Sequence, residues 1–391
     1  AASPSGLAAS LPTAETRSTS SSPLTEPARA QRDRAADGRS GDLRITSGES
    51  LRQALLQAGR RSTVWLLDEG PYELRVSEAL GPLRLNGVEL TIKPVSGRAE
   101  IRVVVEPTRL TTTSLAAPPA IETRSGRLEI EDLDFVLEAE RIPSDFAVIR
   151  CVDNELISRR CSFLNFQSFS GASRQSALEL ISTDDPLTAT AFTRPPVSRV
   201  QDGYFDQQLV AIRGRGPINI SLRDCTFHAT RPLLWLENSA FMEDPASIWA
   251  ENLTVCSESD ELFRFEGVAP RVRLKTSVIA PPPGRRISTL VAASNPARLD
   301  WVGESNGYGE IGTYLRPASQ NEPGVAESSD LKITSFALWS AEAGSTRHEL
   351  GSRGNLLEVW TRSDPIASFQ AGDLAQAFQV QRSLEFVADQ R

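Results

Sequence analysis

The 391-residue chain has few of the residues on which several common functions depend. It contains two histidines, four cysteines without a CxxC pair, and one methionine. So few histidines and unpaired cysteines argue against a zinc ribbon or another metal site, and also against a redox dithiol. Acidic residues outnumber basic ones 50 to 42, with a net charge of −8. This argues against nucleic acid as a partner, because binding nucleic acid requires a basic stripe to neutralise phosphates.

Long apolar runs are also missing. No stretch approaches the length needed to span a bilayer, and the opening AASPSGLAAS lacks the charged start and apolar core of a signal peptide. The chain begins with Ala1 rather than Met. We therefore expect a piece of a longer protein, with any anchor or export signal upstream.

Composition and periodicity divide the chain into three parts. Residues 1–42 are rich in Ser, Pro and Ala, which predicts a disordered linker. The stretch SGESLRQALLQAGR predicts a short amphipathic helix, capped by Ser50 and stopped near Gly59. Short strands then follow to about residue 340, without intervening helices, which excludes doubly wound and barrel α/β folds. Residues 341–391 predict a β-rich C-terminal cap in which DLAQAFQVQ forms a short helix.

One short strand recurs along the strand-rich part, as RLEIEDLDF, ELISRRCSF, INISLRDCTF, SIWAENLTV and RVRLKTSVI. These copies align on one column, whose members are Leu133, Cys161, Cys225, Leu253 and Ser277. Two positions later a second column is large and apolar: Phe135, Phe163, Phe227, Val255 and Ile279. A second strand family, including DFAVIRCVD and DELFRFEG, alternates with the first. Repeats of this size predict stacked coils in which equivalent side chains form ladders along the core.

The spacing between successive copies is 28, 64, 28 and 24 residues. The long interval predicts an insertion at about 167–206, containing the loop-like stretches STDDP, TRPP and QDGYFD. A β-sandwich is the alternative architecture, but it would not repeat matching columns.

The helix followed by strands, SLRQALLQAGRRSTVWLLDEGPYEL and then VELTIKP, resembles the start of right-handed parallel β-helix proteins of the pectin-lyase-like superfamily. The resemblance covers about residues 43–340. It implies an all-β solenoid whose open end is capped by the amphipathic helix. The later stretches WVGESNGYG, ITSFALWS and LLEVWTRSDP are similar to extracytoplasmic β-helix segments of bacterial envelope proteins. Some of those are joined to membrane serine/threonine kinases, although this chain has none of the kinase motifs.

Many β-helix enzymes cleave polysaccharides with paired carboxylates, so the acidic residues of the insertion are the candidate catalytic residues. They are Asp184, Asp185, Asp202 and Asp206. Asp184 and Asp185 resemble the paired Asp of polygalacturonases, but the other motifs of that branch are missing. The alternative is a turn, which Asp-Asp-Pro also favours.

Arg213 and Arg215, in RGRG, offer a lyase-like arginine pair, with a solvated turn as the alternative. Cys161 and Cys225 share a column and are either thiols or a disulfide. Parallel in-register strands favour thiols.

The regular scaffold without a matched catalytic motif predicts a non-catalytic extracytoplasmic domain with no cofactor. We expect it to present a surface to a polysaccharide, a cell-wall polymer or a protein partner, as the sensor half of a membrane kinase or a tethered envelope protein. A polysaccharide lyase or glycoside hydrolase is the second hypothesis. A trimeric adhesin or fibre is the third.

Overall fold

The computed structural model describes residues 41–77, 79–106, 119–138, 145–165, 174–183, 197–206, 208–237, 246–318, 332–341, 347–357 and 359–360. These residues form three parallel sheets and two short α-helices. After the first two strands, the chain visits the sheets in the fixed order A, B, C, so every third strand returns to the same sheet. The predicted parallel β-helix is therefore confirmed as a three-sided solenoid, while its right-handedness stays a prediction.

Sheet A has eleven strands in its described part. In spatial order they are β1 (Leu43–Ile45), β2 (Arg61–Leu66), β5 (Glu89–Pro94), β8 (Arg127–Glu131), β11 (Glu155–Arg159), β14 (Val197–Gln201), β17 (Asn219–Arg223), β20 (Ser247–Glu251), β23 (Arg271–Lys275), β26 (Asp300–Glu304) and β29 (Arg347–Leu350).

Sheets B and C have nine described strands each. Sheet B consists of β3 (Tyr72–Val76), β6 (Ala99–Val105), β9 (Leu133–Glu138), β12 (Ser162–Asn165), β15 (Tyr204–Phe205), β18 (Thr226–Ala229), β21 (Thr254–Ser257), β24 (Val278–Ala280) and β27 (Gly307–Tyr308). Sheet C consists of β4 (Leu83–Asn86), β7 (Ile121–Arg124), β10 (Ala147–Val152), β13 (Ser176–Ile181), β16 (Val210–Arg215), β19 (Leu234–Glu237), β22 (Glu261–Glu266), β25 (Ile287–Ala293) and β28 (Ile311–Pro317).

Helix α1 (Leu51–Gln57) begins where the sequence predicts, because the Ser50 hydroxyl accepts a hydrogen bond from the Gln53 backbone N–H at 3.3 Å. Its apolar side is buried and the helix contacts β1, β3 and β4, the first strands of the three sheets. Its role as a cap stays a prediction. Helix α2 (Phe336–Ala341) contacts β28 and β29.

The core ladder contains the predicted aromatic column with one extra member. Phe135, Phe163, Phe205 and Phe227 stack with ring centroids 5.1, 5.1 and 4.9 Å apart. Val255 and Ile279 continue the column in register. Alternation along each strand drives this arrangement, since every second side chain of a strand points to the same side of its sheet.

The segment 167–206, predicted as a loop-like insertion, holds a further coil. Strands β13, β14 and β15 lie in it and pair in register with the coils on both sides. Gly203 therefore lies between the coils of Cys161 and Cys225, which are not neighbours, and all four cysteines are free thiols. The aligned columns missed this coil because its two-residue strand β15 and its glycine leave almost no apolar pattern.

Candidate functional site

The four predicted carboxylates do not form one described cluster. Asp184 and Asp185 lie outside the described residues. Asp202 occupies the corner between sheets A and B, where its φ of 50° is left-handed and its N–H donates to the Arg223 carbonyl at 3.0 Å. Asp206 is buried at the end of β15. Asp202 thus has a backbone role, whereas Asp206 contacts a second ionisable side chain.

Asp206 pairs with His228 on the outer side of sheet B, away from the core. The His228 Nδ1 lies 3.1 Å from the Asp206 Oδ1, and the imidazole is only 1% exposed. A carboxylate accepts hydrogen bonds, so this contact is the one that a His228 Nδ1–H makes when it donates to Asp206. Cys256 is the register partner of His228 on the next strand. The sequence predicted no role for this histidine.

Arg213 is the largest departure from the sequence interpretation. The pattern RGRG suggested a solvated turn or a lyase-like arginine, but Arg213 lies in the middle of β16 with its side chain 1% exposed. It belongs to an outer column of sheet C that crosses nine strands. In order, the column is Arg84, Glu122, Arg150, Glu179, Arg213, Trp235, Arg264, Ala292 and Arg316.

Opposite charges alternate through the first half of this column, and ion pairs connect them. Arg213 lies 3.7 Å from Glu179, 3.1 Å from Glu237 and 3.2 Å from Asp145, measured between nitrogen and carboxylate oxygen. Glu179 also contacts Arg150 at 2.5 Å. A buried arginine is tolerated only when carboxylates compensate its charge, and three do so here.

Trp235 continues the same column beside Arg213. The guanidinium carbons of Arg264, Arg174 and Arg213 lie 4.7, 5.4 and 5.8 Å from its ring centroid, within the range of cation–π attraction. The indole N–H donates to Glu266 at 3.2 Å. We call Arg213, Trp235, Glu179 and Glu237 the arginine–tryptophan cluster. Because its charges pair with one another and its centre is buried, the cluster stabilises sheet C as it stands.

Sheet A differs, because its outer face is accessible. The outward side chains of β20 alternate with buried Ile248 and Ala250, and among them Trp249 is 53% exposed. Its register neighbours are Ser221 on β17 and Arg273 on β23. We call the outward side chains of β17, β20 and β23 the Trp249 face. An exposed tryptophan on a flat polar sheet is unusual, since large aromatic side chains are mostly buried.

All three outward side chains of β23 are cationic: Arg271, Arg273 and Lys275. Arg273 pairs with Asp300 at 2.9 Å and Lys275 with Glu304 at 3.5 Å. Arg271 is exposed and makes no ion pair with any described residue. The strand beside Trp249 therefore carries positive charge in a chain whose net charge is −8.

Both surfaces left a signal in the sequence. The strands AVIRCV and SALELI each place one charged residue inside an otherwise apolar or small run, and VAIRGR places Arg213 inside such a run with a second arginine at its end, which is the mark of the sheet C column. In SIWAE, the alternation of buried and outward positions places Trp249 outward. Which outward face is covered is not encoded in these patterns.

Two general features complete the description. Among the described residues, no group of three or more His, Cys, Asp or Glu side chains has an arrangement suited to a metal ion. Within that same part of the chain, neither helix is long and apolar enough to cross a membrane.

Comparison with known proteins finds no match for this chain. No family model matches it, and no curated protein or solved structure matches it either.

Proposed function

We propose that this chain is a non-catalytic extracytoplasmic β-helix domain of a bacterial envelope protein, and that it binds an acidic polysaccharide or cell-wall polymer along the Trp249 face. In this proposal an upstream segment tethers the domain to the membrane. That segment includes a membrane kinase, and the domain is the outer sensor of this kinase. The support for the location is the resemblance of the sequence to pectin-lyase-like solenoids and to kinase-linked envelope segments.

The observation that carries the binding proposal is the exposed indole of Trp249 on an open, extended sheet. A tryptophan ring presents a flat apolar surface with a polar N–H at one edge, which suits partners that are apolar on one side and wet on the other. A sugar ring has apolar C–H faces and polar edges. Parallel strands lie about 4.8 Å apart, so the face offers a linear polymer a row of regularly spaced contacts.

Charge favours an acidic polymer over a neutral one. Arg271 and Arg273 lie beside Trp249 on β23, and of these Arg271 makes no ion pair with any described residue, whereas Arg273 pairs with Asp300. Guanidinium groups bind carboxylates through paired N–H donors.

The test compares Trp249→Ala with Trp65→Ala in binding to a panel of acidic and neutral polysaccharides. Trp65 lies on the same face of sheet A, but the Lys93 ammonium sits 4.5 Å from its ring centroid. We expect Trp249→Ala to weaken binding of the acidic polymer at least about tenfold, as an interface tryptophan does, and Trp65→Ala to leave it unchanged. If both variants bind the acidic polymer with the same affinity as the unaltered chain, the proposal is wrong.

A protein ligand is the other outcome of this experiment. In that case no polysaccharide binds, while a protein partner from the same envelope binds the chain and loses affinity with Trp249→Ala.

The location has its own test, which is to sequence the gene upstream of Ala1. A membrane span preceded by a kinase domain agrees with the proposal, and a plain signal peptide contradicts the kinase link.

A second candidate function is polysaccharide cleavage, favoured by one observation. Glu179 and Glu237 both contact Arg213, and two carboxylates beside an arginine match the needs of uronate chemistry. The assay follows reducing ends and unsaturated-uronate absorbance. Turnover lost in Glu237→Gln, Asp184→Ala or Asp185→Ala would establish this function and displace the non-catalytic one.

A further inference from the structure

The outward charge of sheet A alternates from strand to strand around Trp249. Strand β17 carries Arg223 among its outward side chains, and β20 carries Glu251. All three outward side chains of β23 are cationic, whereas β26 carries Asp300 and Glu304. These four strands lie side by side in the sheet. Positive and negative strands therefore follow one another along the solenoid axis.

The remaining outward neighbours of the indole on β17 and β20 are uncharged. Asn219 and Ser247 are register partners, and Ser221 is the register partner of Trp249. Within the described residues, the amide and the two hydroxyls of these side chains have no hydrogen-bond partner. They are therefore available to bind the hydroxyl and amide groups of a sugar whose ring stacks on the indole.

On β23, Arg271 is the cation that a ligand can engage. It is exposed, it lies in register with Ser247 beside Trp249, and it makes no ion pair with any described residue. Arg273 is already engaged, since the two carboxylate oxygens of Asp300 accept its hydrogen bonds at 2.9 and 3.2 Å. A ligand carboxylate at Arg271 thus gains paired N–H donors without displacing a carboxylate of the protein.

Carboxylates border this cationic strand on both sides. On β26, Asp300 lies in register with Arg271. Lys275 has Glu251 as its register neighbour on β20 and Glu304 on β26. A polymer with a carboxylate on every sugar would bring some of its charges against these protein carboxylates, and like charges brought together weaken binding.

The spacing of the strands converts this charge pattern into a sugar pattern. Parallel strands lie about 4.8 Å apart, which is close to the advance per sugar in an extended polysaccharide. A polymer that runs along the solenoid axis therefore places successive sugars over successive strands. When one ring stacks on Trp249 of β20, the next sugar lies over β23, on the side of Arg271.

We propose that the Trp249 face selects a polymer in which neutral and acidic sugars alternate, with a neutral ring stacked on Trp249 and the carboxylate of the next sugar bound by Arg271. Acidic sugars then lie over β17 and β23, and neutral sugars lie over β20 and β26. The inference rests on the proposed binding function and adds to it the order of the sugars along the ligand.

The experiment measures the affinity of the full chain for three hexasaccharides by isothermal titration calorimetry. Hyaluronan alternates a uronate with an uncharged N-acetylated sugar, polygalacturonate has a uronate at every position, and chitin has none. We expect hyaluronan to bind at least about tenfold more tightly than either of the others, because a charged hydrogen bond is worth about that factor. Equal or tighter binding of polygalacturonate would overturn the inference.

Arg271→Gln removes the charge and keeps a polar side chain. We expect it to lower the affinity for hyaluronan about tenfold and to leave the affinity for chitin unchanged, so that the preference for the alternating polymer is lost. Arg44→Gln is the matched control, because Arg44 is also exposed but lies on β1, an edge strand of the same sheet. If Arg271→Gln binds hyaluronan as tightly as this control does, the inference is wrong.

Asp300→Asn tests the rejection of the fully acidic polymer. It removes a carboxylate from β26 and releases Arg273 from its ion pair. We expect the affinity for polygalacturonate to rise several-fold while the affinity for chitin stays the same, because a repulsive contact is lost and a cation is gained. No gain for polygalacturonate would contradict the alternating order.

Failure of the inference is distinguishable from failure of the proposed function. If none of the three saccharides binds, or if Trp249→Ala changes the affinity for none of them, the binding function fails and the inference fails with it. If Trp249→Ala weakens binding but the preference among the saccharides does not depend on Arg271, only the order of the sugars is wrong. Circular dichroism of each variant confirms that the fold is retained.

Discussion

Single residues make the corners of this solenoid. Between sheets A and B the chain turns through one left-handed residue per coil, with φ between 47° and 56°. The residues are Asp132, Arg160, Asp202, Asp224, Asn252, Thr276 and Ser305. Each of these seven backbone N–H groups donates to a carbonyl of the next coil, as Asp132 does to Arg159 at 3.0 Å. Short polar side chains suit this conformation because they tolerate a positive φ.

Among the buried residues, Cys151 gives a testable pH dependence. Burial raises its pKa from 9.0 to about 11, so the folded state holds the thiol proton more tightly than the unfolded state does. Stability is therefore full below about pH 9 and falls as the pH approaches about 11. Chemical denaturation at about pH 8 and about pH 11 should show Cys151→Ala losing less stability over that interval, by about 2 kcal/mol. An identical loss in the variant would contradict this assignment. Burial also raises the pKa of the Cys161 thiol to about 11, so Cys161→Ala should change the pH dependence in the same direction.

At the scale of elements, the C-terminal end of the solenoid depends on one carboxylate. Glu349 of β29 accepts hydrogen bonds from five side chains of the last coil and of the segments around it: Trp301 and Tyr308 at 2.7 Å, Trp339 at 3.2 Å, Asn306 at 3.3 Å and Ser352 at 2.6 Å. The indole and phenol rings among these donors are almost fully buried. Helix α2 and strand β29 are thereby fixed to the last coil, which closes this end of the core.

Glu349→Gln replaces one acceptor oxygen with a donor that faces other donors. Buried polar groups that lose their partners cost about 1–3 kcal/mol each, so we expect about 3 kcal/mol lower stability in urea denaturation followed by tryptophan fluorescence. Glu310→Gln is the matched control, because Glu310 is exposed. Equal stability of the two variants would show that the five contacts are not what fixes this end.

For the whole molecule, the three outer faces are chemically different. Sheet A is open and carries Trp249, sheet C carries the arginine–tryptophan cluster, and sheet B is covered by Val359 and Trp360 where they pack on Cys256 and Ala280. A solenoid separates these roles well because each coil contacts chiefly its neighbours. The proposed binding surface and the covered side of sheet B are thus on different sides of one scaffold.

Nearest-neighbour stacking also predicts how the molecule opens. The central coils with the phenylalanine stack have neighbours on both sides, whereas β1 and β29 at the two edges of sheet A have one. Hydrogen exchange followed by mass spectrometry should therefore be slowest in β9–β18 and fastest at the edge strands. Uniform exchange along the solenoid would indicate a single cooperative unit instead.

Much of the fold was predictable from the sequence, because every coil of the stack requires an apolar side chain at the same inward position. The column of Phe135, Phe163 and Phe227 and the cap at Ser50 are confirmed by the structure. The coil of Phe205 was not predictable, since a two-residue strand is too short to show alternation. The candidate site was predicted least well. Asp202 is a corner residue and Arg213 is buried, because the partners of both lie tens of residues away in the sequence.

The sequence by itself determined the period, the inward columns and the all-β class. These follow from the local alternation of apolar and polar residues and from composition, both of which can be read from the sequence alone. Only the tertiary structure decided which outward side chains are covered, that His228 lies between Asp206 and Cys256, and that Trp249 stays exposed. The physical reason is that those contacts are set by the register between strands far apart in the chain and by the path of Leu356 to Trp360 across sheet B.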